Sequence, residues 1–143
     1  MSFGIILDRT KFYSNIGTMM RSCYNLEADF IAIIGKRFSR RNERGDTVDT
    51  QQTIPTFTFD SIDTALAALP RWPLVAVEIT SRSRDLKNFV HPKSCSYVFG
   101  PEDGSLDETL LKKAQSCVRI DSNYCLNLSV AASIVMYDRR CKL

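Results

Sequence analysis

The sequence predicts an α/β protein, a parallel sheet with helices on both faces, and three observations carry that reading. Apolar runs of strand length recur, at Phe3 to Leu7, Phe30 to Ile34, Leu74 to Ile79 and Tyr97 to Phe99. Segments with helical spacing stand between them, so strand and helix alternate. No internal repeat or low-complexity tract breaks the alternation. At 143 residues the chain has the size of one domain, residues 1–143, around a single core.

Phe3 to Leu7 is the first strand, closed by Asp8-Arg9-Thr10. A helix follows from about Asn15 to Leu26, with Ser14 or Asn15 as N-cap. Ile16, Met19, Met20, Cys23 and Tyr24 recur at helical spacing and face the sheet. Gly17 is costly inside a helix, so its place there points to close approach of a backbone or a ligand. Phe30 to Ile34 is the second strand, ended by Gly35. The stretch from there to Thr53 lacks periodicity and reads as a loop. Ile54 to Phe59 alternates as a strand, Asp60 and Ser61 cap a helix through Leu69, and Pro70 stops it. Leu74 to Ile79 is the next strand, and Thr80 to Asn88 is polar.

The last third, Tyr97 to Tyr137, holds two turns, each set between a short strand and a helix. Tyr97 to Phe99 runs into Gly100-Pro101-Glu102-Asp103-Gly104, where the proline and two glycines forbid further regular structure. Leu106 to Gln115 reads as a helix and Val118 to Ile120 as a strand. The polar loop Asp121 to Tyr124 then leads through Cys125-Leu126 into a terminal helix, about Asn127 to Arg139. That helix is apolar around most of its circumference, which implies burial on more than one side. Ligands of an open parallel sheet bind outside the carboxyl ends of strands, where both loops fall.

Composition narrows the class. Hydrophobic content of 44% and charged content of 24% are those of a globular protein. The apolar run before Asp8 is too short for a signal peptide or a membrane span. Five scattered cysteines without a C-x-x-C pair speak against a zinc site or a disulfide scaffold. They favour a reducing compartment, the cytoplasm. His91 is the only histidine and reads as a loop residue, so no metal site is expected. Cys125 reads as a small buried apolar side chain. Tyr124 is open to two readings, packing or stacking on a base.

FGPEDGSL followed by CLNLSVAASIVMYD resembles the second and third motifs of the SpoU/TrmH branch of the SPOUT RNA methyltransferases. The first motif of that branch, Asn-x-Gly-x-x-x-Arg, is matched by Asn15, Gly17 and Arg21. Cys125 stands where many members carry Ser, and Asp121 where many carry Pro. The resemblance implies a SPOUT fold with a C-terminal trefoil knot, a homodimer, and S-adenosylmethionine-dependent 2′-O-methylation of RNA ribose, on tRNA before rRNA. It implies cofactor contacts at Val77, Glu78, Gly100, Ile120, Cys125 and Leu126, with Glu102 organising the cofactor loop. Arg21 would serve the ribose hydroxyl from the opposite protomer. A guanidinium is too weak a base to take the proton, so its expected role is stabilising the developing alkoxide, with Asn15 and Asn127 fixing geometry.

Lys36, Arg37, Arg40, Arg41 and Arg44 set five cations against Glu43 in one short segment, although the whole chain is only +3. So local a charge suits a phosphate grip, and the plainer reading is a solvated loop. Two other functions remain open at this level. One is a non-catalytic RNA- or nucleotide-binding module that keeps the fold; the other is an unrelated α/β regulator that binds no cofactor.

Overall fold

The computed structural model describes residues 1–37 and 54–143. Among these, seven strands form one sheet. In chain order the elements are β1 (Phe3–Asp8), α1 (Tyr13–Asn25), β2 (Phe30–Ile34), β3 (Thr56–Phe59), α2 (Ile62–Ala68), β4 (Leu74–Val77), β5 (Arg84–Asp85), β6 (Cys95–Phe99), α3 (Glu108–Lys113), β7 (Ser116–Arg119) and α4 (Leu128–Lys142), with a 3₁₀ turn at Leu86–Asn88. The strand order is β3-β2-β1-β6-β4-β7-β5, and every pairing is parallel.

Continuous apolar strands arise because both faces of the sheet are covered. Side chains alternate between two cores. Ile5, Leu7, Ile31, Ile33, Val75, Tyr97 and Phe99 pack with Met19 and Cys23 of α1 and Val135 and Met136 of α4. Ile6, Ala32, Ala76 and Val98 face the other way, onto Ala65 of α2 and Leu110 of α3. The predicted parallel sheet with helices on both faces is the fold observed.

Boundaries shift where partners distant in sequence take over. The first helix starts at Tyr13, and its N-cap Phe12 has no side-chain cap. Ser14 and Asn15 do not cap it; the Asn15 side chain bonds elsewhere, to Glu102 and Asn127. Ser61 does cap α2, in a reciprocal capping box with Thr64. Leu106 lies outside α3 and is buried in the core, while Asp107 caps that helix through the Thr109 amide. The short strand β5 has no apolar signature; it is held by its register with β7 and by Asp85 receiving Arg119 Nε at 2.6 Å.

One residue and one helix depart further from expectation. His91 belongs to a loop yet is buried, bonded to the Tyr97 hydroxyl and, at 2.8 Å, to Asp138. The terminal helix is covered on one face of this single chain: Leu128, Ala132, Val135 and Met136 are in the core, and Val130, Ile134 and Tyr137 are exposed. Among the described residues no helix is long and apolar enough to cross a membrane.

Candidate active site

The carboxyl ends of β1, β4, β6 and β7 surround a cleft of about 430 Å³. Its walls come from loops that leave those strands where apolar pairing stops. Val77 ends β4 and Glu78 and Ile79 follow it, Gly100 to Glu102 follow β6, and Ile120, Ser122, Cys125 and Leu126 follow β7. From the opposite side come Phe12 and Asn15, at the start of α1. All seven residues expected at a cofactor, from Val77 to Leu126, line this one cleft, together with Asn15 and Asn127.

A chain of hydrogen bonds ties the three motifs together. Glu102 accepts from the amides of Lys11 (2.9 Å) and Phe12 (3.4 Å) and from Asn15 Nδ2 (2.8 Å). Asn127 Nδ2 donates to Asn15 Oδ1 at 2.9 Å. Asn127 Oδ1 accepts from the amide of Ser129 (2.9 Å) and from its hydroxyl (2.7 Å), capping α4. The loop after β6, the start of α1 and the start of α4 are thereby fixed relative to one another. Glu78 makes a second tie, accepting from the amides of Ile79 and Leu106, each at 2.9 Å.

The cleft is electronegative. Glu78 and Glu102 line it, and the one basic lining residue among those described is Arg119, whose Nε is given to Asp85. Cations gather instead on its outer rim beyond β1 and β2. Arg37 grips Asp103 with both prongs, at 2.6 and 3.2 Å, and Lys11 Nζ stands 3.5 Å from the same carboxylate. Arg37 first, with help from Lys11, lowers the Asp103 carboxyl to about 2, and Asp103 in turn raises the Arg37 guanidinium.

Several placements differ from what the residues suggest in sequence. Gly100 has a reason within the chain: a Cβ there would lie 2.9 Å from the Leu106 amide nitrogen, so its own loop excludes a side chain. Cys125 is exposed at the cleft rather than buried, because it stands in the loop before α4 and not in the helix. Tyr124 is 87% exposed, which removes packing within this chain as its role. Arg21 is exposed on α1 and is not among the cleft-lining residues of its own chain. Of the basic segment, Lys36 and Arg37 are exposed, Arg37 with its fork occupied by Asp103. Arg40, Arg41 and Arg44 lie outside the described residues. Phe12 and Ile79 join the cleft without a sequence cue, since only the strand order brings their loops together.

Solved structures with the same fold share this arrangement of strands and helices. An rRNA methyltransferase from Sinorhizobium meliloti superposes with a TM-score of 0.86 at 21% identity, covering 99% of this chain and 56% of its own. A protein solved to explain the 2-OH methylation of C/U34 on tRNA gives 0.82 at 21% identity, covering 99% and 95%. The SpoU methyltransferase AviRb from Streptomyces viridochromogenes, in complex with the cofactor AdoMet, gives 0.82 at 19% identity, covering 96% and 59%. This chain thus spans little more than half the length of two of the three. No curated protein matches the sequence. The SpoU rRNA Methylase family matches residues 2–137, which take in the first two motifs, the third up to Tyr137, and every strand of the sheet. With the match running through nearly the whole chain, the protein belongs to the SpoU rRNA methylase family.

Proposed function

We propose that the protein transfers a methyl group from S-adenosylmethionine to a ribose 2′-hydroxyl of RNA, tRNA before rRNA, and that it works as a homodimer. The single observation that carries this reading is the bonded series Glu102, Asn15, Asn127, which brings the three family motifs to one cleft. The residues present suit the cofactor. The volume of about 430 Å³ falls in the range of small-molecule sites. Val77, Ile120 and Leu126 offer apolar surface for an adenine, and the carboxylates of Glu78 and Glu102 favour a cation.

When bound, the cofactor supplies an electrophilic methyl carried on a positively charged sulfur. The chain's own residues bind, orient and stabilise. The loops after β4, β6 and β7 hold the donor, and their ties through Glu78 and Glu102 keep them in place before substrate arrives. Asn15 and Asn127 set the geometry of the cleft floor. Arg21, exposed on α1, serves the cleft of the opposite protomer, where its charge stabilises the oxygen as the hydroxyl proton leaves to solvent.

Dimerisation through α4 is supported by its exposed stripe Val130, Ile134, Tyr137 and Cys141, spaced at i, i+4, i+7 and i+11 on one face. The C-terminal trefoil knot belongs to the same proposal. The chain passes from β4 to the edge strand β5, back to β6 on the far side of β4, and then to β7 between β4 and β5. The cytoplasm is the proposed location.

The test is transfer of label from methyl-labelled S-adenosylmethionine into separated tRNA and rRNA, followed by mapping of 2′-O-methyl positions. The wild-type chain should label tRNA. Arg21→Ala should lower turnover roughly 100- to 1000-fold while leaving cofactor affinity unchanged. Cofactor and RNA binding without any label transfer would instead describe a non-catalytic module.

A further inference from the structure

Phe12 is a large aromatic residue left out of the core. It is 46% exposed, stands at the N-cap of α1 and lines the cleft. Its place is held through the main chain, by Glu102 accepting from the Lys11 and Phe12 amides. The ring is therefore not required to start the helix. An aromatic side chain at a cleft rim, fixed by backbone bonds and open to solvent, suits a ligand with a flat face.

The surroundings distinguish between possible ligands. In the sheet, β1 lies three strands from β7, about 14 Å at ~4.8 Å per strand. Phe12, just beyond β1, thus stands across the cleft from Ile120, the residue that follows β7 in the proposed adenine slot. Cations cluster on the Phe12 side. Lys11 Nζ is 5.5 Å from the ring centroid and 3.5 Å from Asp103, and the side chains of Arg9 and Arg37, paired with Asp8 and Asp103, are 44% and 40% exposed on the same rim. A solvent-open ring flanked by cations provides both elements that hold a single-stranded nucleotide, one for the base and one for the phosphate.

We propose that Phe12 stacks on an unpaired base of the RNA substrate, with Lys11 meeting a neighbouring phosphate. The assignment rests on the RNA-methylation reading above. It also adds a division of the cleft, with donor on the β4 and β7 side and substrate base on the β1 side. Adenine is itself a flat base, so the experiment must separate RNA from cofactor.

Wild-type, Phe12→Ala, Phe12→Leu and Phe12→Trp chains are compared for binding to labelled oligouridylate and oligoadenylate and, by calorimetry, to S-adenosylmethionine. Phe12→Ala should weaken oligonucleotide binding roughly 5- to 150-fold, the range for losing one base–aromatic stack. Cofactor affinity should fall far less than oligonucleotide affinity, because Phe12 borders the same cleft. Phe12→Leu, which keeps apolar bulk without a π face, should lose most of the same affinity and covers the case of an unstable alanine variant. Phe12→Trp should retain binding, and its added indole emission, above that of Trp72, should be quenched by oligonucleotide and not by cofactor. Oligonucleotide affinity unchanged in the alanine and leucine variants overturns the proposal, as does a loss confined to the cofactor or an unquenched indole. A wild-type chain that binds neither oligonucleotides nor tRNA overturns the RNA reading itself, and the stacking role with it.

Discussion

Two polar networks lie at opposite ends of the same sheet, and one is sealed while the other is open. At the amino end of β6, Arg139 and His91 are each 3% exposed. Arg139 donates to the carbonyls of Pro92 (2.6 Å) and Lys93 (2.7 Å), and its guanidinium lies 5.1 Å from the Phe3 ring centroid. His91 is held between Tyr97 and Asp138, and Lys142 closes the edge by donating to the carbonyls of Leu86 and Lys87. At the carboxyl end, Glu102, Asn15 and Asn127 are bonded as fully, but around a cleft. The sealed network offers nothing to a ligand, so its value is in folding. The open one spends its bonds on holding three loops in register, so its value is in positioning.

Arg139 is the residue on which the sealed end depends most. Arg139→Met removes a buried donor set and leaves the Pro92 and Lys93 carbonyls unsatisfied, at a cost of about 3–5 kcal/mol in urea-unfolding stability. Cofactor affinity, measured where the variant is still folded, should not change. A variant of normal stability with a damaged cleft would reverse the roles of the two ends.

Asn15→Ala is the matching test at the open end. It takes a partner from both Glu102 and Asn127. The stability cost should be about 1 kcal/mol. Turnover should fall far more, roughly 100-fold, because a shift of about 1 Å between loops misplaces the reactants. Equal losses of stability and turnover would make the series a structural brace alone.

The two ends also differ in how far they can be read from sequence. The place of the open end is legible in the sequence, since the residues named for it line one cleft. Its residues cluster in three short motifs, and strands that run out into Gly-Pro and polar loops mark the end of a parallel sheet where clefts form. The sealed end is not. His91 precedes a proline in a loop-like stretch, and only the register of β6 with α4 brings Tyr97 and Asp138 to it. Contacts over long sequence separations explain the other departures as well. The α1 start is secured by Glu102, about ninety residues away. Gly100 answers to the Leu106 amide, and Arg37 to Asp103. Apolar periodicity reports which face a residue takes, not which polar atom it meets.

The sealed end also makes stability depend on pH. Burial, opposed by Asp138, lowers the His91 pKa below its ordinary value of 6.5, with Lys142 and Arg139 acting in the same direction as burial. The folded state therefore holds fewer protons on this ring than the unfolded state. Stability is whole above about pH 6.5 and is lost as pH falls through that value toward the lower folded-state pKa. In His91→Gln the urea midpoint should lose that component of its pH dependence. A wild-type midpoint that rises as pH drops from 7 toward 5.5 would mean that His91 gains a proton on folding.

The last test lies on the rim between cleft and solvent, where Asp103 occupies the fork of Arg37. Both side chains are about 40% exposed, so the pair adds little to folding, and Asp103→Asn should leave the melting temperature unchanged. On the proposed RNA reading, its effect is on RNA binding. If Arg37 grips phosphate, the nucleic acid must first replace a carboxylate already seated there in a two-pronged pair. The asparagine removes that competitor and one negative charge beside Lys11. Binding of tRNA should tighten, and its logarithmic salt dependence should steepen by roughly 0.7 to 0.9 for each additional phosphate engaged. If Arg37 is instead only a clamp on the Gly100 to Gly104 loop, the salt slope stays put and cofactor affinity weakens as the loop loosens. The two outcomes move different measurements, so one variant decides whether the rim belongs with the open network or merely braces it.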